Sequence, residues 1–456
     1  MIVMKFGGTS VESASSIARV VATVKENARC RPIVVVSAMG KTTNALLAMA
    51  KDAADGKRDA ALAQLEALKE FHRREAHPAI APNDRDELER FFDDHFQELT
   101  DILIGLNALG ELTPRSADAI ASFGERISSA VIAVALRAVG IPSAHFDSRK
   151  LIVTDDRFTQ ASPLYPQTFL RLESAMSSLG NGAVPVLGGF IAATEKGITS
   201  TLGRGGSDFT ASIVGAALDA KEIQIWTDVN GMLTSDPSLV PGALRVKTLS
   251  FAEAAELAYF GARVLHPSTV LPAMRKGIPV RILNSRRPES PGTLIVAEPV
   301  PCANVLKCVA FKRHITVVNI HSTYMLMAHG FLRRIFEIFD RYETPVDMLA
   351  TSEVSVSLTI DNPARLDEIC GDLRPFSQVS VEHDQAIVCV VGENLRHTPG
   401  VAARVFGAIR GVNVRAISQG ASLLNLSFVV AAADLPQAVV ALHDEFFSNP
   451  DPGVFG

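Results

Sequence analysis

Cysteine is scarce in this 456-residue chain and never closely spaced. Cys30, Cys302, Cys308, Cys370 and Cys389 form no C-x-x-C pair and are odd in number. That argues against a disulfide framework and a thiolate zinc site, and for reduced thiols in a cytoplasmic protein. An excess of charge of one sign is also missing. The formal net charge of −5 argues against nucleic acid as the main partner. No apolar run reaches the ~18 residues of a membrane span, and Arg137 interrupts the nearest candidate, Ile127 to Val139. The N-terminus lacks a signal-peptide pattern. A phosphate loop of the Walker A kind is lacking too. Gly40-Lys41-Thr42 matches its end, but a valine stands at position 35, where its leading glycine belongs.

What is present is a well-packed chain, 47% apolar and 20% charged, long enough for two to four domains. Ile2 to Phe6 reads as a short buried strand ended by Gly7-Gly8-Thr9-Ser10, with a helix pattern from Ile17 onward. Thr9 and Glu12 are spaced for a capping box. Lys5 sits near this strand's carboxyl end, where open α/β sheets bind ligands, and a lysine there is costly without an anionic partner. Pro32 to Val36, Val184 to Leu187, Ile223 to Trp226 and Pro279 to Leu283 are further strands, of the apolar kind that parallel sheets bury. They alternate with helical patterns, so residues 1–295 are expected to form one α/β domain, a parallel-sheet αβα sandwich. Thr113-Pro114 reads as the N-cap and first residue of a helix. That helix carries Glu125 at the start of an apolar segment; if buried there a carboxylate should face a cavity or a cation, while its position alone favours a glutamate on the helix surface.

Leu202-Gly203-Arg204-Gly205-Gly206-Ser207-Asp208 organises this half. Three glycines within four residues feed a helix, whose first N–H groups and positive dipole end suit an anion. Arg204 and Asp208 place two opposite charges in a turn that a phosphate cradle alone would not require.

Prolines 288, 291, 299 and 301 mark a linker. Beyond it Gly330, Ile335, Phe336, Val346 and Leu358 recur as Gly400, Val405, Phe406, Val414 and Phe428, an internal repeat. Each copy reads strand, helix, strand, strand, helix, and the first has a closing strand. The second copy lacks a sixth element, which the orphan strand Val305–Phe311 would supply. The expected arrangement is two βαββαβ domains, at 313–384 and at 304–312 plus 385–447, the first inserted in the second.

Met4-Lys5-Phe6-Gly7-Gly8-Thr9-Ser10, Phe123-Gly124-Glu125, the Leu202–Asp208 turn, Trp226-Thr227-Asp228-Val229 and Phe260-Gly261-Ala262-Arg263-Val264-Leu265-His266-Pro267 resemble, in order and spacing, the motifs of the aspartokinase family. The resemblance covers nearly the whole chain, and the C-terminal repeat looks like a tandem of ACT domains. The stretch from His321 to Val356 is most similar to the monofunctional, lysine-inhibited branch, and no attached homoserine dehydrogenase is expected.

The resemblance implies transfer of phosphate from ATP, with Mg²⁺ carried on the nucleotide rather than at a dedicated protein site, to L-aspartate. The product, 4-phospho-L-aspartate, opens lysine, threonine and methionine biosynthesis. It implies Lys5 and Asp208 as catalytic residues, and Thr43, Glu125 and Arg204 for aspartate. For nucleotide and phosphate it implies Gly7, Gly8, Ser37, Gly205, Gly206, Ser207, Thr227, Asp228 and Arg263. Met325, Gly330, Val346, Asp347, Thr351, Ser352 and Glu353 match effector positions. Arg263 stands where lysine is more usual, and Leu233 where an aromatic often packs. Ala328 and Pro345 replace frequent serines, which leaves lysine, threonine or both open as effector. His266 is expected to be structural. A homodimer or dimer of dimers through the ACT domains is implied.

Overall fold

The computed structural model describes residues 1–456 except 181, 262–266 and 324–328. The chain divides into two compact bodies, Met1–Met232 with Val264–Glu298, and Leu233–Arg263 with Pro299–Gly456.

The first body runs β1 (Ile2–Phe6), α1 (Ala14–Glu26), β2 (Pro32–Val36), α2 (Thr42–Ala54), α3 (Arg58–Ala76), α4 (Arg85–Leu109), α5 (Pro114–Ala121) and α6 (Phe123–Ala138). It continues through β3 (Ser143–Phe146), β4 (Val153–Thr154), α7 (Tyr165–Ser177), β5 (Val184–Gly188), β6 (Ile191–Thr194), β7 (Thr199–Thr201), α8 (Gly206–Ala217) and β8 (Ile223–Thr227). The chain then passes through β9 (Thr248–Ser250) and α9 (Phe251–Tyr259) of the second body. It returns for α10 (Leu271–Lys276), β10 (Val280–Asn284) and β11 (Thr293–Val296).

Seven strands of this body lie side by side in the order β3-β5-β2-β1-β8-β10-β11. Every neighbouring pair is parallel except β10 and β11. The chain leaves β1 toward β2 on one side and returns through β8 on the other. The carboxyl ends of β1, β2 and β8 therefore flank the switch point where such sheets take ligands. All five residues of β1 are buried, Lys5 included.

Residues Phe123 to Leu136 of α6 are all buried, the charged Glu125 and Arg126 included, and from Ala130 to Leu136 the helix is apolar all round. Pro114–Ala138 is long and apolar enough to cross a membrane, but 94% of its apolar window is packed inside the protein. Thr113 caps α5 as the sequence suggests, accepting the Ser116 N–H at 3.1 Å. The capping box at Thr9 does not form. Thr9 lies in a 3₁₀ turn, and Ser13 caps α1 instead, accepting the Ser16 N–H at 3.2 Å. In that turn Ser10 points away from the helix and donates to Ser285 Oγ, 2.7 Å distant.

The second body continues with β12 (Cys308–His321), α11 (Phe331–Arg341), β13 (Met348–Thr351), β14 (Ser355–Ile360), α12 (Leu366–Leu373) and β15 (Gln378–Val391). α13 (Val401–Ala408), β16 (Ala416–Gln419), β17 (Asn425–Ala431) and α14 (Leu435–Phe447) complete it. Its six-stranded sheet, β13-β14-β12-β15-β17-β16, pairs every neighbour antiparallel. The strands expected separately before and within the first repeat are one strand, β12, and β15 likewise serves both repeats. Register shifts between Lys312 and Val317, with His314 at φ 59° and Asp384 at φ 53°, mark where one repeat passes into the other. Cys308–Lys312 pair with Ile387–Val391, so the leading strand does complete the second repeat.

A break drawn at the prolines leaves residues 233–263 in the first body, yet they belong to the second. Glu253 of α9 meets the Lys307 ammonium at 2.8 Å, both side chains fully buried. Glu256 accepts hydrogen bonds from Ser422 and Asn425.

Candidate active site

The site is built where glycine lets backbone approach backbone. After β1, the Gly7 N–H donates to the Trp226 carbonyl at 3.0 Å. A Cβ on Gly8 would lie 3.0 Å from the carbonyl oxygens of both Ala38 and Gly40, so glycine seats the turn after β1 against the turn after β2. The Ser37 N–H donates to Phe6 at 3.0 Å, and Ser285, which Ser10 holds, donates its N–H to the Thr227 carbonyl at 2.8 Å. The expected phosphate turns and the Thr227-Asp228 end of β8 are thus one connected frame. Thr227 is half-buried and Asp228 exposed.

The turn Gly203–Ser207 behaves as its glycines require. Gly203 and Gly205 sit at φ 74° and 69°, and Gly205 is the N-cap of α8. Ser207 and Asp208 occupy the first helical turn, at its positive end. Asp208 meets the Lys5 ammonium at 2.6 Å, with side chains 13% and 10% exposed. The costly lysine of β1 has found its anion. Arg204 is exposed on the same turn.

Glu125 lies in the first turn of α6 and is buried. A Cβ on Gly124 would stand 2.6 Å from that of Ala38 and 3.5 Å from Thr42 Cγ2. Glycine thus lets α6 close on the loop before α2 and on the first turn of α2, where Thr43 is half-buried. Burial pushes the Glu125 carboxyl up to about 8, partly offset by the Ala38 N–H and the Lys5 charge. Its Oε2 is buried without a hydrogen-bond partner. A buried carboxylate oxygen left bare beside a lysine field is costly unless a donor arrives from outside.

Two features have no counterpart among the residues expected from sequence. Gly188-Gly189 fixes the spacing of the site: a Cβ on Gly188 would come within 2.9 Å of the Glu125 carbonyl, and one on Gly189 within 2.6 Å of Ser207. The doublet directly after an apolar strand was the visible signal. Asp118 on α5 accepts from the Thr159 N–H, the Thr201 N–H and the Thr201 hydroxyl at 2.7 to 3.0 Å. It pins the loop that packs on Gly203, where a Cβ would meet the Thr159 carbonyl at 3.2 Å. A lone aspartate in a helix gives no sequence signal of this kind. Arg263 and His266 lie outside the described residues.

In the second body, Asp347 is held by Lys312 at 2.7 Å, and Lys312 also meets Asp361 at 2.8 Å. The Tyr259 hydroxyl donates to Asp347 at 3.4 Å. Val346 is half-buried, and Gly330, Thr351, Ser352 and Glu353 are exposed. Met325 lies outside the described residues.

The amino acid kinase family matches residues 1–284 and an ACT domain matches 388–446. The chain is 37% identical over 460 residues to lysine-sensitive aspartokinase 3 of Escherichia coli, covering 98% of this chain and 99% of that protein. It belongs to the aspartokinase family. Chloroplastic aspartokinase 1 of Arabidopsis thaliana is 39% identical over 98% of this chain and 80% of its own length. The structure of E. coli aspartokinase III with aspartate and ADP, in its R-state, superposes with a TM-score of 0.84 at 36% identity, over 98% of this chain and 100% of that one. The T-state of the same enzyme, with lysine and aspartate, gives 0.82 at 36% over 98% and 99%. An aspartokinase is a phosphotransferase with a carboxylate acceptor, and the frame of glycine turns around a lysine–aspartate pair is suited to that chemistry.

Proposed function

We propose that the first body phosphorylates the side-chain carboxylate of L-aspartate from ATP, giving 4-phospho-L-aspartate and ADP, the opening step toward lysine, threonine and methionine. The observation that carries this reading is the bare, buried oxygen of Glu125 in a site that also holds the Lys5–Asp208 pair. An amino acid acceptor brings an ammonium to Glu125, which draws its carboxyl back to the ionised form. Arg204 takes the α-carboxylate with its planar fork, and Thr43 adds a hydroxyl. The acceptor carboxylate is already ionised at neutral pH, so no general base is needed. Lys5 stabilises charge on the transferred oxygens, and Asp208 holds Lys5 in place.

Gly7, Gly8, Ser37 and Gly205 to Ser207 grip phosphates, while Thr227, Asp228 and Arg263 hold the nucleotide. Magnesium is bound in such sites by one or two carboxylates plus substrate phosphates. Asp208, nearly buried at the head of α8, is a carboxylate that fits this donor set. Bound there, the ion would neutralise phosphate charge.

We further propose that the second body senses a feedback amino acid, lysine, threonine or both. An effector ammonium reaching Asp347 must displace Lys312. Exposed Leu332 and Phe336 on α11 and Leu349 on β13 support self-association through this body. All five cysteines are unpaired, which supports a reducing compartment such as the cytoplasm.

Trapping the acyl phosphate with hydroxylamine across a panel of amino acids tests the assignment. Hydroxamate should form with aspartate alone. Product from glutamate, or from no amino acid, refutes it. Titrating lysine and threonine singly and together identifies the effector, and light scattering reads the oligomer.

A further inference from the structure

Beside α6, lined by Arg126 and Ser129 from the turn that follows Glu125, lies a cleft of about 580 Å³. Its wall carries Phe91, His95, Arg126, His145, Arg149 and Lys150. Arg126 is 7% exposed, lies 4.3 Å over the Phe123 ring, and spends both Nη groups on Glu98 at 3.3 and 2.7 Å. Its Nε–H is buried with no acceptor. A desolvated guanidinium donor without a partner is rare, because it forfeits the free energy of a charge-assisted hydrogen bond. Arg149 is neutralised by Asp147, 2.7 Å away, whereas Lys150 is exposed and has no ion-pair partner among the described residues. His95 and His145 are both held below the usual histidine range by burial, His145 at about 4. At neutral pH the two imidazoles are uncharged, and with Arg126 paired to Glu98 and Arg149 to Asp147, Lys150 is the cleft's unpaired cation among the described residues.

We propose that this cleft is a second binding site for a small oxyanion, a phosphate or carboxylate group, received by Arg126 Nε and the Lys150 ammonium. The site is wired to the acceptor side of the same helix. Ser129 Oγ donates to the Glu125 carbonyl at 2.6 Å and pairs with His145 at 2.9 Å. Ser148 donates to the Gly188 carbonyl at 2.6 Å, behind the glycine that packs on Glu125. Two residues of the cleft wall, Ser129 and Ser148, thus hold the backbone around Glu125.

Calorimetric titration of pyrophosphate and of citrate into the full-length enzyme tests this, with ADP, aspartate and EDTA present in excess to fill the reaction site. One binding event per chain is expected with at least one probe, and which probe binds tells phosphate from carboxylate. Lys150→Ala, an exposed change outside the reaction site, should weaken it ~10-fold or more. Arg126→Lys should do so too, keeping the charge but losing the Nε donor. Should Arg126→Lys fail to fold, Lys150→Ala decides alone. Absence of binding by both probes at millimolar concentration, or unchanged affinity in Lys150→Ala, overturns the proposal.

Discussion

Two near-identical tetrapeptides, Ser122-Phe123-Gly124-Glu125 in the first body and Ser250-Phe251-Ala252-Glu253 in the second, meet opposite fates. Each opens a helix and each glutamate is buried at the third helical position. In the second body Ser250 is extended, at φ −75° and ψ 158°, and the box closes. Its hydroxyl accepts the Glu253 N–H at 3.2 Å, while Glu253 accepts the Ser250 N–H at 2.8 Å and takes Lys307 as well. In the first body α5 runs almost directly into α6. Ser122 is itself helical, at φ −60° and ψ −24°, and its hydroxyl turns back to the Ala119 carbonyl at 2.7 Å. Glu125 is left out of the box, with one oxygen unpartnered. A buried carboxylate whose partners are all internal holds a fold together. One whose partner is missing is open to a donor from outside the chain.

The sharpest way to break this contrast is to remove the cation on each side. Lys5→Met should lower kcat of the folded enzyme by ~10³-fold or more, the scale of losing a transition-state charge donor, on top of the stability lost when Asp208 is left without its cation. Lys307→Met leaves Glu253 buried without its cation and should cost ~3–5 kcal/mol of stability, read from urea unfolding, while kcat of the folded enzyme holds. If Lys307→Met cut kcat as deeply as Lys5→Met at unchanged stability, the division between a working and a structural lysine would be wrong.

The acceptor side makes a finer test. Glu125→Ala should lower kcat/KM for aspartate by ~10–100-fold, the worth of a charge-assisted hydrogen bond, and leave the KM for ATP nearly unchanged. Equal damage to both substrates would contradict the assignment. The same glutamate sets a pH signature. Its carboxyl in the free enzyme is pushed up to about 8 by burial, and the ammonium binds the ionised form. With that value roughly a tenth of sites are ionised at pH 7 and about three quarters at pH 8.5, so kcat/KM for aspartate should rise ~8-fold over that interval. A profile flat across it would remove the desolvated carboxylate from the binding step.

How much of this the chain announced depends on the kind of interaction. β1, β2 and β8 were legible because buried parallel strands are continuous apolar runs between glycine turns. The turn at Gly203–Asp208 was legible because its φ values strongly favour glycine. The Lys5–Asp208 pair was implied by a lysine in an apolar strand that had to find an anion. What stayed hidden was set by contacts distant in sequence. Thr9 and Glu12 had capping-box spacing, but the chain there takes a turn in which Ser10 donates to distant Ser285, and the helix starts later. Asp118 gained its role only when the chain brought Thr159 and Thr201 to it. Residues 233–263 joined the second body through Lys307, Ser422 and Asn425, which lie 54 to 169 positions away from their partners.

The smallest effect is the most specific to the paired tetrapeptides. Ser250→Ala deletes a cap that satisfies the Glu253 N–H and should cost ~1 kcal/mol, read as a lower urea midpoint. Ser122→Ala deletes a hydroxyl that caps nothing and only returns to a carbonyl already within a helix, so its cost should fall well below that of Ser250→Ala. The two substitutions are chemically the same change in almost the same local sequence. A difference between them therefore measures what the closed box adds, the cap and the Ser250 hydroxyl's bond to the Glu253 carboxylate at 3.0 Å, over a hydroxyl turned back into its own helix. Equal costs would mean that Ser122 does cap α6 in solution, and then Glu125 would be tied into its own helix rather than free to meet an ammonium.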